Sequence, residues 1–172
     1  MALIKARSRG INLADNFAFT GTITGAGGGK VLQVVTVNKT GNSQNTTSSS
    51  YADVTNLTAN ITPSATSSYL LVNVQVSTQN FGNNSTTAPH GRVSLTDGST
   101  NFVECSVYHY TGSNNHYHLG TQFMQHYYNP NTTSQVSLKL QLLADSGRFG
   151  VFGEDDQQTI KPTTITVMEI SA

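Results

Sequence analysis

Tyr69-Leu-Leu-Val-Asn-Val-Gln-Val-Ser77 decides the fold class of this chain. Leu70, Val72, Val74 and Val76 fall on one side of an extended backbone, and Tyr69, Leu71, Asn73 and Gln75 on the other. A period of two with one apolar side predicts a strand with one buried face. Gln135–Leu143 repeats the pattern, with Val136, Leu138, Leu140 and Leu142 as its inner side. Further strands are predicted over Val31–Val37, Tyr51–Leu57, Gly91–Leu95, Phe102–Tyr110, Tyr117–Tyr128, Arg148–Phe152 and Thr163–Ile170. Asp97-Gly98 and Asp145-Ser-Gly147 carry turn signals between them. Residues 38–50 read as a polar loop, and no segment has helical periodicity.

Some nine strands at short spacing predict an all-β chain: an antiparallel β-sandwich of jelly-roll type. An immunoglobulin-like sandwich competes, but neither a Trp nor a Cys pair supports the antibody type. Composition agrees with the strands. The 172 residues suit one domain with its own core. They include 24 Thr, 18 Ser and 16 Asn, residues that favour strands and turns. Only 10% of residues are charged, against about 25% in ordinary domains, so uncharged polar groups must supply solubility. Disorder is the competing reading of such a composition, and the alternating apolar runs argue against it.

Nine basic and nine acidic residues cancel. No field draws the chain to nucleic acid, and no apolar run approaches the ~20 residues of a membrane span. The apolar start, Ala2-Leu-Ile4, is shorter than the ~7–15 residues of a secretory core, so synthesis in a cytoplasm, without export, is expected. Asn-x-Ser/Thr at Asn45, Asn56, Asn60, Asn84 and Asn131 is chance in so Asn- and Thr-rich a chain, and none is read as glycosylated.

Residues 1–30 differ from the rest. They form an extended arm and Gly-rich linker, and 31–172 form the head. Lys5, Arg7 and Arg9 can meet an acidic surface or stay solvated. Phe17 and Phe19 need somewhere to bury and are expected to dock on a neighbouring subunit or under the head. Thr24-Gly-Ala-Gly-Gly-Gly-Lys30-Val31 superficially suggests a phosphate loop. It lacks the first Gly and the final Ser/Thr, and it leads into a strand rather than a helix. It reads as a hinge.

Tyr108, Tyr110, His116, Tyr117, His118 and Tyr127 make an aromatic and polar concentration. Rings with polar tips suit subunit interfaces and sugar binding alike, and an intersubunit contact is the preferred reading. His116-x-His118 puts two imidazoles on one side of a strand, a spacing able to chelate Zn. The fixed Cys/His or Glu/His spacing of metal signatures is missing, so no metal and no cofactor is assigned. Cys105, the only cysteine, reads as a buried, inert thiol. Glu104, Glu154, Asp155, Asp156 and Glu169 are scattered, and no Gly-x-Ser-x-Gly elbow is present. No enzyme is predicted.

Ala2-Leu-Ile-Lys-Ala-Arg-Ser-Arg-Gly-Ile-Asn-Leu-Ala-Asp-Asn-Phe-Ala-Phe-Thr-Gly-Thr-Ile-Thr-Gly-Ala-Gly27 resembles the start of virion structural proteins of aquatic, especially cyanobacterial, tailed phages. Lys30-Val-Leu-Gln-Val-Val35, Ser50-Tyr-Ala-Asp-Val54, Ile61-Thr-Pro-Ser-Ala-Thr-Ser-Ser-Tyr-Leu-Leu-Val72 and Thr164-Ile-Thr-Val-Met-Glu-Ile170 are similar to the same group. The resemblance implies a structural virion protein on the particle surface. With the arm, it leads to the expectation of a homotrimer docked on phage capsid or tail proteins. Capsid decoration or cement is the preferred placement. A tail-fibre protein that contacts host surface polysaccharide is the alternative.

Overall fold

The computed structural model describes residues 30–81, 90–108, 117–153 and 162–172. Among these residues there are ten strands: β1 (Val31–Asn38), β2 (Gln44–Thr46), β3 (Ala52–Ile61), β4 (Tyr69–Phe81), β5 (His90–Thr96), β6 (Asn101–Tyr108), β7 (Tyr117–Tyr128), β8 (Val136–Ser146), β9 (Arg148–Val151) and β10 (Thr164–Ile170). They form two packed sheets in the jelly-roll arrangement. One sheet has six strands in the order β1-β10-β4-β9-β2, with β7 on the remaining edge of β4. The other runs β3-β8-β5-β6. Every pairing among these strands is antiparallel. The predicted all-β sandwich is the observed one.

β4 organises the larger sheet. Its first half pairs with β10 and its last residues with β9, both on one edge, while β7 lines the other edge from Leu70 to Phe81. Leu70, Val72, Val74 and Val76 are fully buried, as the alternation requires. Each such side chain contributes about 1.5–3 kcal/mol on leaving water. They meet Leu138, Leu140 and Leu142 of β8 and Ile165 and Val167 of β10 in one core cluster. A one-residue slip of β4 would expose that whole set, so register is strongly fixed.

Three details depart from the predicted elements. The loop over 38–50 contains a short strand, β2, which pairs with β9. Lys39 within it is buried, its Nζ donating to the carbonyl of Asn42 at 2.7 Å. β3 runs on to Ile61, and its register shifts between Asp53 and Thr58, around Asn56 at φ 56°. That irregularity masks the alternation a sequence reading relies on. Cys105 is half-buried rather than buried, and burial beside the charge of Glu104 pushes its thiol up.

The predicted turns are real and differ in kind. Asp97 Oδ1 accepts from Ser99 N, Ser99 Oγ and Thr100 N, each at 2.8 Å, which closes the β5–β6 connection around Gly98. Gly147, at φ 70°, carries the chain from β8 in one sheet to β9 in the other. Phe102 of β6 stacks on His126 at 4.9 Å and approaches Tyr128 at 4.6 Å, bridging the sheets at their β6–β7 side. At the entrance to the head, Ser171 N donates to the Lys30 carbonyl and Lys30 N donates to Ser171 Oγ, both at 2.9 Å.

Glu169 was only one of several scattered carboxylates in the sequence, yet it is buried in this fold. Its Oε1 accepts from Ser64 N at 2.7 Å and Ser64 Oγ at 2.6 Å, and its Oε2 accepts from Gln33 Nε2 at 2.6 Å. The carboxylate thus ties β1, β10 and the β3–β4 connection together. Burial raises its affinity for a proton, but the bonds from Ser64, Gln33 and Ser68 outweigh burial and hold its pKa down to about 2. A depressed folded-state value stabilises the fold above the unfolded value. That contribution fades as pH falls from about 4.5 towards 2. Glu169→Gln should cost about 2 kcal/mol at neutral pH and flatten acid unfolding over that window, read by denaturant titrations at several pH values. Gly91 packs flat under the buried ring of Phe149, which a Cβ would overlap. Gly91→Ala should cost about 1–3 kcal/mol by overpacking, read as a lower melting temperature.

Candidate functional site

Those sequence-predicted contact residues that are described lie at two ends of the sandwich. Lys5, Arg7, Arg9, Phe17, Phe19, Tyr110 and His116 lie outside the described residues. Tyr108 ends β6, and Tyr117 and His118 begin β7, at one end of the sandwich. Tyr127 closes the same strand at the opposite end. Ten residues of strand separate Tyr117 from Tyr127, about 33 Å. Tyr127 instead stacks on Tyr69, with centroids 4.9 Å apart and planes 7° from parallel. Neighbours in sequence cannot be neighbours in space when a long strand carries them along its axis.

The two sheets present unlike outer faces. On the six-stranded sheet, β1-β10-β4-β7 align their outward residues in register. Val34, Met168, Leu71 and Tyr127 make one row, Thr36, Thr166, Asn73 and Gln125 the next, and Asn38, Thr164, Gln75 and Phe123 a third. No residue in these rows is charged. The polar members bond to one another: Thr36 Oγ1 with Thr166 Oγ1 at 3.1 Å, Gln125 Nε2 to Asn73 Oδ1 at 2.7 Å, and Thr164 Oγ1 to Asn38 Oδ1 at 2.8 Å. Val31, Leu32 and Val34 of β1 are 54%, 44% and 55% exposed, and Phe123 and Tyr127 of β7 are 66% and 53% exposed. Apolar surface is therefore concentrated on the two flanking strands, about 14 Å apart across the face.

The four-stranded sheet gathers charge instead. Lys139 Nζ meets Asp53 Oδ2 at 2.9 Å, and Gln141 Nε2 donates to Asp53 Oδ1 at 2.8 Å. Those bonds from Gln141 and Lys139 lower the carboxyl of Asp53. Arg92 forks onto Asp145, Nε to Oδ2 at 2.8 Å and Nη2 to Oδ1 at 2.9 Å. Its Nη1 lies 3.5 Å from Glu104 Oε1, and Glu104 accepts from the Tyr51 hydroxyl. Burial, and then that bond to Glu104, push the Tyr51 phenol well up. Exposed pairs of this kind contribute little stability each and keep a surface wetted.

One constellation escaped the sequence reading. His90 Nδ1 lies 3.1 Å from Ser146 Oγ, and its Nε2 lies 3.5 Å from Asp145 Oδ2. Serine, histidine and carboxylate meet here without any sequence motif, because β5 pairs with β8. Arg92 holds both oxygens of Asp145, so the group ties β5 to β8 by charge. Among the described residues, no three His, Cys, Asp or Glu side chains group to hold a metal ion. None of their helices is long and apolar enough to cross a membrane.

No family model matches the chain, and no curated protein does. Solved structures are similar in fold. An Eiger TNF from S. frugiperda is 10% identical, with a TM-score of 0.51 over 83% of this chain and 96% of that one. A structure of infectious bursal disease virus, Gt strain, is 12% identical, with a TM-score of 0.43 over 93% of this chain and 44% of that one. The VP2 subviral particle of the same virus gives 14%, 0.31, 81% and 38% respectively. This chain thus spans less than half of the viral chains it is similar to. The fold likeness that carries weight is to the TNF structure, which corrects the resemblance to tailed-phage virion proteins. The head strings quoted for that resemblance fall largely on β1, β3, β4 and β10, whose alternation any β-sandwich shares. The fold is a jelly roll of the kind found in the TNF structure.

Proposed function

We propose that this chain is a non-catalytic structural subunit of a virus particle. It assembles as a homotrimer through the uncharged outer face of the six-stranded sheet. The observation that carries the reading is the contrast between the two faces: charge clusters on one and is missing from the rows of the other. A face whose polar groups are already bonded to one another loses little when water leaves it, and depletion of charge marks the buried centre of an interface. A second copy of the same chain brings an equally neutral surface.

The flanks favour a ring over a face-to-face pair. β1 offers aliphatic Val31, Leu32 and Val34, and β7 offers aromatic Phe123 and Tyr127. Unlike flanks suit a heterologous contact, β1 of one copy against β7 of the next. A head-to-tail contact of this kind first closes into a ring at three copies. Residues 1–30 serve as a separate docking arm in this reading, leaving the head at Lys30. Three equivalent arms gain from effective concentration, so modest contacts by Phe17, Phe19 and the basic residues suffice to hold the trimer on a particle surface as a decoration.

The full chain should elute with light-scattering mass near 55 kDa, three copies of 18.4 kDa. Val34→Glu and Phe123→Glu should each shift it to monomer without changing the far-ultraviolet spectrum. A monomeric wild type, or trimers that survive both changes, would refute the interface. Deleting residues 1–25 should leave the head's melting temperature unchanged while abolishing incorporation into particles. An unfolded deletion product would rule out a separable arm.

A further inference from the structure

A polar cleft of about 310 Å³ lies at the end of the sandwich where the β5–β6 turn meets the β7–β8 connection. Asp97, Tyr128, Asn129, Thr132, Gln135 and Ser137 line it. Its size is at the lower end of the range for small-molecule sites, about 300–1,000 Å³.

Its hydrogen-bonding groups are only partly used. The Tyr128 hydroxyl is buried and has no partner among the described residues. A buried hydroxyl left so costs about 1–3 kcal/mol, which a bound oxygen would recover. Burial, with the Asp97 charge beside it, pushes this phenol up to about 12, so it keeps its proton to donate. All three donors to Asp97 converge on Oδ1, leaving Oδ2 able to accept. Asn129 spends its Oδ1 on Asn131 N at 2.6 Å, which leaves its amide hydrogens to donate. The cleft therefore offers a carboxylate acceptor, a phenol donor and amide groups within one small space.

We propose that this cleft binds one ring of a neutral carbohydrate, whose adjacent hydroxyls bond to Asp97 Oδ2, the Tyr128 hydroxyl and the amide of Asn129. A sugar hydroxyl both donates and accepts, and it matches this mixed set. An anionic ligand meets the Asp97 carboxylate with no cation lining the cleft to offset it. A divalent cation finds one carboxylate where it needs several oxygen ligands. The site does not depend on trimer assembly, because one copy supplies every lining residue.

Saturation-transfer NMR on the full chain tests it. The probes are methyl glycosides of glucose, galactose, mannose and N-acetylglucosamine, with glucose 6-phosphate as the anionic comparison. At least one neutral glycoside should show transfer, and the phosphate none. Tyr128→Phe removes a single oxygen and should weaken binding about tenfold, while the melting temperature of the free protein rises because the unpartnered hydroxyl is gone. Asp97→Asn should weaken it at least as much. Silence from every neutral glycoside, a stronger response from the phosphate, or unchanged affinity in both variants would overturn the site.

Discussion

The structure depends on the burial of one side of β4. Leu70, Val72, Val74 and Val76 are held in the core from both directions, by the facing sheet and by β10, β9 and β7 along its edges. Burial of these four fixes the strand's rotation. That in turn fixes Tyr69, Leu71, Asn73 and Gln75 on the outside. The neutral rows of the outer face are thus a direct consequence of core packing. Their neighbours on β1, β10 and β7 follow because backbone pairing transmits register from strand to strand.

The division of charge between the sheets follows from the same alternation. Asp53, Arg92, Glu104 and Lys139 occupy the solvent-facing positions of the four-stranded sheet and pair among themselves or with Asp145. A chain with so few charged residues has spent many of them on one surface. The other outer face relies on Thr, Asn and Gln, which can stay in water yet lose little when covered. Among the described residues one carboxylate, Glu169, is buried, and its charge is stabilised by hydrogen bonds rather than by a cation.

Much of the fold was legible because alternation is a local property. β4, β7, β8 and β10 could be read from residues two apart, and their observed limits differ by a few residues. β2 was hidden in a polar loop, since three residues of Gln-Asn-Thr carry no period. β3 was blurred by the irregularity at Asn56. Sites were much less legible. His90, Ser146 and Asp145 meet only through the β5–β8 register, and Asp97 reaches Tyr128 only because two connections share one end of the sandwich. Within the Tyr108–Tyr127 concentration, the length of β7 carries Tyr127 to the opposite end from Tyr117 and His118, a separation that composition does not reveal. The absence of charge at alternate positions of β4 and β10 was the one sequence signal that pointed to the neutral face.

The clasp between Lys30 and Ser171 also has a mechanical meaning. Residues before Lys30 join the head at the first residue of an edge strand that runs antiparallel to β10 from Val31 opposite Ile170 to Asn38 opposite Thr164. Ladder hydrogen bonds lie perpendicular to the strands. A tug along the axis of β1 therefore loads them together in shear, rather than peeling them one by one. The head is anchored for tension at the point where its leading segment begins.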